Sequence, residues 1–505
     1  MESFWNDLHY EDIHFRDTLQ FEIQSDFAPI FALQENISTQ EFYCFIPSSL
    51  QINSYTYSKE QFYKDRTNLI RYKTPEFSLQ QLIDPAVEQS PLNRIRALEG
   101  AFQTEQAILI AQDELKLLSN VVRSALRVAV RELVDLFGRA NKGHIRSELQ
   151  SKARAVCREI IAFRSVFHRL QIDFERSWSE ALSKDFLYAD EFISSSIDYY
   201  LTGFLEVLRR AKVEHIYDID NQICEIIIQE KQHRQQMYQD TEELKEDEKT
   251  QEKRLNHKSL LNKYVLDALL LEQDRISWVD KYGNVIAGLA AGIAMLVYGF
   301  LLFINVSTAG VNSISFVLLT VVLYILKDRV KDALKRLFHQ HASRWFSDFT
   351  TRIRTPSKDI QIGKLKESFS FVAEEDVPEE IRRVRYEEFA SDLPLFKIPE
   401  EMFYYKKEMV LVSSETPVRS RRHKLHTIFL FNIHLLLEKA SNPTEPYLSL
   451  DLDTMEVGIR ELPKVYHINI IMKNTFTQPD LSTKVEIKKF RLVIDKNGIK
   501  RVETV

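Results

Sequence analysis

Residues 285–304 read VIAGLAAGIAMLVYGFLLFI, and residues 311–326 read VNSISFVLLTVVLYIL. Both lie in a longer stretch, Tyr282 to Leu326, that contains no Asp, Glu, Lys, Arg or His, although 28% of the chain is charged. An α-helix rises about 1.5 Å per residue, so a hydrocarbon core about 30 Å thick needs about 20 apolar residues. The stretch therefore predicts two transmembrane helices joined by a short turn. The alternative is a helical hairpin buried in the core of a large soluble protein. Core helices of this length usually carry a polar stripe.

Basic residues flank this stretch on both sides, whereas the connecting turn has none. Those before it are Lys263, Arg275 and Lys281, and those after it are Lys327, Arg329, Lys331, Lys335, Arg336 and Arg344. Because positive residues concentrate in cytoplasmic loops, we expect both long arms and both termini to be cytoplasmic. The predicted localisation is an integral membrane protein with two spans, in the plasma membrane or the bacterial inner membrane.

Small residues recur at helical spacing in the first predicted span. Gly288 and Gly292 form a GxxxG motif, and Gly299 lies seven residues beyond Gly292. Such residues allow two helix backbones to approach closely, so the three glycines are predicted helix-packing residues. Packing against the second span of the same chain is the simpler interpretation, and a seam between identical chains is the alternative.

The basic residues after the second span form a predicted amphipathic helix over residues 327–358. Basic side chains next to a membrane attract anionic headgroups. Lipid contact is therefore predicted for Lys327, Arg329, Lys331, Lys335 and Arg336. The alternative role for this helix is packing against protein.

Periodicity divides the chain into six predicted segments. Apolar residues at three- and four-residue steps, such as Leu115, Leu118, Val122 and Leu126, indicate long amphipathic helices. Alternating segments and a turn at Asp495 to Gly498 indicate strands near the end. The segments are a small α/β domain (1–88), a helical bundle (89–228), a polar helical stalk (229–281), the transmembrane hairpin (282–326), the basic helix (327–358) and a β-rich domain (359–505). The predicted fold class is a mainly α multidomain membrane protein with β-containing N- and C-terminal domains.

The most concentrated positive patch lies near the C-terminal third, in Arg419-Ser-Arg-Arg-His-Lys424. Guanidinium groups bind phosphate or carboxylate in a bidentate manner, so a phosphate or an acidic partner is predicted to contact Arg419, Arg421, Arg422 and Lys424. A solvated loop is the alternative. The net charge of −6 argues against a protein that coats nucleic acid, so nucleic acid is not a predicted partner.

Sequence motifs for catalysis are absent. The three cysteines are far apart, and the chain contains no GxxxxGK[ST] or GxGxxG run. No catalytic residue, cofactor or metal ligand is predicted. The predicted function is a membrane-anchored cytoplasmic scaffold or signalling component, with the lipid bilayer, cytoplasmic proteins and a second copy of the chain as partners. Two alternatives remain open, an oligomeric effector that forms a pore or perturbs the bilayer, and a membrane-tethered hydrolase.

Overall fold

The structure is a computed structural model of the 505-residue chain. It describes residues 4–5, 8, 13–30, 33–98, 104–138, 143–174, 180–210, 217–238, 248–308, 314–345, 347–356, 360–387, 399–412, 421–450, 457–478, 480 and 482–504.

Two compact units make up the chain. The helical unit comprises Met1–Asp12, Ile70–Leu270 and Arg419–His426, and the sheet unit comprises Ile13–Leu69, Leu271–Val418 and Thr427–Val505. Each unit is therefore built from three separate segments of the chain, and the segments of the two units alternate along the sequence.

The helices of the described residues are numbered in chain order. They are α1 (Lys59–Asp65), α2 (Leu79–Ile83), α3 (Pro91–Ala97), α4 (Glu105–Gly138), α5 (Gly143–Phe174), α6 (Glu180–Arg210), α7 (Tyr217–Tyr238), α8 (Glu248–Leu266), α9 (Trp278–Thr308), α10 (Ile314–Trp345), α11 (Glu379–Tyr386) and α12 (His434–Leu437).

The strands follow the same convention. They are β1 (Ile13–Asp17), β2 (Gln20–Phe27), β3 (Glu35–Pro47), β4 (Arg66–Tyr72), β5 (Glu272–Ser277), β6 (Phe349–Arg354), β7 (Gln361–Phe371), β8 (Glu400–Val412), β9 (Leu425–Asn432), β10 (Thr444–Leu450), β11 (Val457–Pro463), β12 (Tyr466–Thr477), β13 (Thr483–Asp495) and β14 (Gly498–Thr504). The eight-stranded sheet has the order β14-β13-β12-β3-β8-β7-β6-β5, the four-stranded sheet has the order β1-β2-β9-β4, and β10 pairs with β11.

The long helices of the helical unit bury one apolar stripe each. On α4 the predicted stripe is confirmed, because Leu115, Leu118, Val122 and Leu126 are fully buried. The facing helices contribute aromatic side chains, which are Phe163 and Phe167 of α5 and Phe186 of α6. The rings of Phe167 and Phe186 are stacked with centroids 4.6 Å apart, a geometry that stabilises beyond simple area burial.

The large sheet has an apolar layer on each face, as strand alternation requires. On one face Phe62 of α1 stacks on Phe369 of β7 at 4.0 Å, and Phe42 of β3 stacks on Phe429 of β9 at 5.1 Å. On the other face Ile381 of α11 is buried in a separate cluster with neighbours from β3, β8 and β12. The sheet is therefore a central layer.

The predicted turn at Asp495 to Gly498 is confirmed. It joins β13 to β14, in which Asp495 pairs with Gly498. Gly498 has a φ of 134°, and a Cβ at this position would collide with the backbone of Thr18. Glycine is required there for both reasons.

The predicted fold class, a mainly α multidomain membrane protein with a cytoplasmic helical bundle and stalk and a two-helix transmembrane hairpin, is wrong. The described residues form 14 strands in three sheets, alongside the helices. The prediction placed the N-terminal and C-terminal strands in different domains, whereas β3 pairs with both β8 and β12 in one sheet. Local periodicity reports that a segment is a strand but carries no information on a partner several hundred residues away.

The predicted pair of membrane spans is also wrong, and with it the localisation as a two-span integral membrane protein with cytoplasmic termini. Among the described residues, one helical segment, Ala287–Ile304, is long and apolar enough to cross a membrane. In α10 the apolar run from Ile314 to Leu326 ends at Lys327. Those residues span about 20 Å, which is short of the roughly 30 Å of a hydrocarbon core.

Candidate functional site

The hairpin formed by α9 and α10 leaves the large sheet at its β5 edge. β5 leads into α9, α10 is followed by β6, and β5 pairs with β6 so that Ser277 lies opposite Phe349. The Arg275 guanidinium lies 3.6 Å from the centroid of the Phe349 ring and 5.1 Å from that of Tyr63. Cation–π contacts of this kind contribute about 0.5–1 kcal/mol at partly exposed sites. The paired strands and the stacked arginine fix the base of the hairpin.

Small side chains mediate the contact between α9 and α10. Ala290 and Ala294 of α9 are 0% and 1% exposed, and Leu323 of α10 is 9% exposed. Alanines four residues apart lie on one helix face, and their small size lets the second helix approach. The alanines thus form the contact within the hairpin.

The three predicted helix-packing glycines lie elsewhere on α9. A Cβ added to Gly288, Gly292 or Gly299 would meet no atom within 4 Å. Their side of α9 is therefore an open shallow groove, and these glycines do not contact α10. Their packing role stays a prediction, and a partner for them has to come from outside the described part of this chain.

Large apolar side chains are exposed along both helices. They are Val285, Leu289, Ile293, Met295, Leu296, Val297, Phe300, Phe303 and Ile304 on α9, and Ile314, Val317, Leu318, Val321, Val322, Tyr324, Ile325 and Leu326 on α10. We call these residues and the three glycines the apolar hairpin surface. Soluble monomers rarely expose contiguous apolar patches beyond a few hundred Å², and full burial of such a side chain stabilises by about 1.5–3 kcal/mol. The surface is therefore the strongest candidate for an interface.

The predicted lipid-contacting residues follow this surface on α10. The Lys327 Nζ lies 4.0 Å from the centroid of the Tyr324 ring and 3.6 Å from Asp328. Arg329 and Lys331 are exposed, and the side chains of Lys335 and Arg336 lie outside the described residues. The structure thus places this group at the end of the apolar run, and its lipid contact stays a prediction.

The predicted basic patch is engaged with helix α4. Arg421 forms an ion pair with Glu114 and donates a hydrogen bond of 2.9 Å to the carbonyl of Gln89. Arg422 donates to Asp113 at 3.0 Å and to the carbonyl of Ala268 at 2.6 Å. The carboxylates that these two arginines meet therefore belong to the same unit. Of the other two predicted residues, Lys424 accepts a backbone hydrogen bond from Lys73, and Arg419 lies outside the described residues. Contact with a phosphate or an acidic partner stays a prediction.

A buried charged cluster joins α5, α6 and α7 and was missed from the sequence. Arg164 bridges Asp190 at 2.5 Å and Glu230 at 2.8 Å, while His233 Nε2 and Tyr238 Oη each lie 2.6 Å from Asp190 Oδ2. Burial alone would raise the pKa of Asp190, but the hydrogen bonds from His233 and Tyr238 and the charge of Arg164 together lower it. The cluster keeps an ionised carboxylate inside the helical unit. It was missed because its residues come from three separate helices.

A row of buried polar residues crosses the large sheet and was also missed. Glu367 of β7 lies opposite Lys407 of β8, Lys407 lies opposite Gln40 of β3, and Gln40 lies opposite Asn474 of β12. One signal was available in the sequence, because Lys407 lies in phase with apolar neighbours along β8. A lysine on the apolar side of a strand is unusual enough to mark a site.

These clusters do not amount to a recognisable catalytic or metal centre. Among the described residues, no three His, Cys, Asp or Glu side chains lie where they could hold a metal ion together. Comparison with known proteins does not assign this chain to a family, because no family model, no curated protein and no solved structure matches it.

Proposed function

We propose that this protein is a self-associating scaffold, in which two copies of the chain join through the apolar hairpin surface. Each copy then presents its helical unit and its sheet unit for contacts with further proteins. The observation that carries this proposal is the open glycine groove of α9, surrounded by exposed large apolar side chains.

The groove favours a second copy as the occupant. Small residues four apart on one helix fit the same residues on an identical helix, because both backbones can then approach closely. Twofold symmetric contacts of this kind are the commonest in soluble oligomers. The absence of charged residues from Tyr282 to Leu326 means that such a contact would bury no unpaired charge.

The neighbouring sheet edge disfavours association through strands. β5 carries Glu272, Asp274 and Arg275, and its residues from Glu272 to Arg275 are exposed. Charged side chains on an edge strand oppose pairing with another chain. Association through the hairpin therefore leaves this edge free.

The proposal is tested by the mass of the full chain in mild detergent, measured by light scattering after size exclusion. We expect at least twice the chain mass of 59.3 kDa for the wild type and a monomer for Gly292→Ile, because the branched side chain holds two backbones apart. Gly138→Ile is the matched control, since Gly138 is also helical with open space around it but lies outside the hairpin. The control should associate as the wild type does.

A cross-linking experiment gives an independent result. With Gly292→Cys, two copies packed at the groove should form a disulfide-linked dimer under mild oxidation, and Gly138→Cys should not. A monomeric wild type, or equal cross-linking of both variants, would refute the proposal. A chain that stays monomeric and floats with lipid vesicles would show that a lipid surface covers the hairpin instead.

A further inference from the structure

Lys407 is a buried cation whose amine has no direct partner. The residue is 3% exposed, and no hydrogen bond or ion pair joins its amine to another side chain among the described residues. The rings of Phe42 and Phe429 have their centroids 5.9 and 6.0 Å from Nζ. Weak cation–π contacts do not replace the hydration that a buried ammonium loses.

The buried charges around Lys407 do not balance. Glu367 lies opposite Lys407 on the neighbouring strand, but its carboxylate forms an ion pair of 2.6 Å with Arg66 and accepts a hydrogen bond from Tyr405. Lys407 and Arg66 are two cations, and Glu367 is one anion. The group therefore carries one uncompensated positive charge, whereas buried charges in proteins are usually paired.

A small space adjoins this charge inside the sheet unit. It measures about 10 Å³, and Lys407, Ser38, Gln40 and Thr427 line its polar side. Ser38 is buried, and its hydroxyl forms no hydrogen bond with another described side chain. A space of this volume takes one occupant of about the size of a water. One cation and one free hydroxyl therefore meet in a space for a single small particle.

We propose that this space holds a single halide ion, chloride under ordinary conditions, which pairs with the Lys407 ammonium and accepts a hydrogen bond from the Ser38 hydroxyl. A water in the same place would satisfy the hydroxyl but would bring no negative charge. Chloride is one atom, and its radius exceeds that of water by only a few tenths of an ångström. It therefore supplies the missing charge where an anion of several heavy atoms finds no room.

The other groups at this space are compatible with a monatomic anion. Gln40 is held by its own hydrogen bonds to Ser25 Oγ at 2.8 Å and to Asn474 Oδ1 at 3.1 Å. Asp26 lies at the rim as an exposed residue, where solvent and salt screen its charge. Occupancy would make the stability of the sheet unit depend on chloride. The proposal does not depend on self-association through the hairpin.

The test is urea unfolding of the full chain in nonionic detergent, at equal ionic strength in sodium chloride and in sodium gluconate. Urea is used because guanidinium chloride would itself supply the ion, and gluconate is the reference because it is too large for the space. An ion that binds only the folded state shifts the equilibrium towards that state. We expect the unfolding equilibrium constant of the wild type to be about fivefold smaller in chloride, and bromide to act as chloride does.

Two lysine variants separate this site from general salt effects. Lys407→Met should fold, because it replaces an unpaired buried charge with an apolar side chain, and it should unfold equally in the two salts. Lys406→Met is the matched control, because Lys406 is its neighbour on the opposite face of β8 with a 37% exposed side chain. This control should keep the full response to chloride, and so should the hairpin variant Gly292→Ile.

Bromide also gives a direct view of the site, because its anomalous scattering locates it in a crystal. In crystals of the wild type soaked in bromide, we expect a peak beside Lys407 Nζ, and we expect none there in Lys407→Met. A wild type that unfolds equally in chloride and gluconate, an equal chloride response in Lys407→Met, or only an ordered water beside Nζ would overturn the proposal.

Discussion

At the scale of single residues, two of the buried charged side chains, Asp190 and Lys407, have opposite surroundings. Asp190 is held by an arginine, a histidine and a tyrosine, and its pKa is lowered. Within the described ranges no hydrogen bond or ion pair joins the Lys407 amine to another side chain, and burial lowers its pKa to about 8. In both cases the pKa shift determines how the residue's contribution to folding stability depends on pH. Each residue therefore gives a testable prediction.

Replacing Lys407 by Met should stabilise the sheet unit. Burial destabilises the charged form of this lysine in the folded protein. Between pH 8 and about 10 the folded protein therefore binds fewer protons than the unfolded chain does. The resulting cost is fully present below pH 8 and is lost as the pH rises. We expect Lys407→Met to raise the free energy of unfolding by about 3 kcal/mol at pH 7, measured by denaturant titration. The gain should shrink towards pH 10, and a gain independent of pH would assign it to packing.

Replacing Asp190 by Asn should destabilise the helical unit. A lowered pKa means that the ionised carboxylate stabilises the fold above its unfolded pKa of about 3.9, and that this stabilisation is lost as the pH falls. We expect Asp190→Asn to cost about 3 kcal/mol at pH 7, because Arg164 loses a buried partner. Unfolding followed at pH 7 and at pH 3 should show a smaller difference at pH 3. Equal costs at both values would exclude the ion pair as the cause.

At the scale of elements, the hairpin separates two sets of small residues that the sequence does not distinguish. Ala290 and Ala294 are four apart, as are Gly288 and Gly292, and either pair could have faced α10. The spacing predicts that a small-residue face exists. The spacing does not show which of the two faces contacts α10. That choice depends on the direction in which α9 leaves β5, and this direction is set by the sheet rather than by the sequence of the helix.

Ala294→Ile and Gly292→Ile should therefore act on different contacts. Ala294 is buried, and α9 packs on α10, so we expect the larger side chain to force the two helices apart and cost about 1–3 kcal/mol through overpacking. Gly292 has open space around it, so Gly292→Ile should leave the hairpin intact. Hydrogen exchange of α9 and α10 amides distinguishes the two, with faster exchange expected only in Ala294→Ile. Faster exchange in both variants would mean that the glycine face is packed within the chain.

At the scale of the whole molecule, the two units differ in how far apart their contacting residues lie in the chain. Ile70 to Leu270 supply most of the helical unit, whereas the sheet unit is assembled from three separate segments. Individual strands and the β13–β14 turn were predictable, since alternation and turn residues are local. The pairing of β3 with β8 and β12 was not, because register across such separations is decided by packing in the folded state.

This difference predicts an order of folding. Contacts close in sequence form faster, because less chain entropy is lost on closing a short loop. After dilution from denaturant, we expect amides of α4 and α6 to become protected before those of β3 and β12. Pulse-labelling hydrogen exchange measures this order directly. Simultaneous protection in both units would show that they fold as one cooperative body.

The hydrogen bond between Gln40 and Asn474 links residues 434 positions apart. A ribosome adds about 5–20 residues per second, so at those rates Gln40 waits roughly 20 to 90 s for Asn474 to be made. Until β8 has been made, β3 is a newly synthesised strand with both edges unpaired, and the apolar hairpin emerges before its base strands can join a finished sheet. The chain therefore exposes unpaired strand edges and apolar surface to chaperones during its synthesis, although the strand edges are paired in the finished fold.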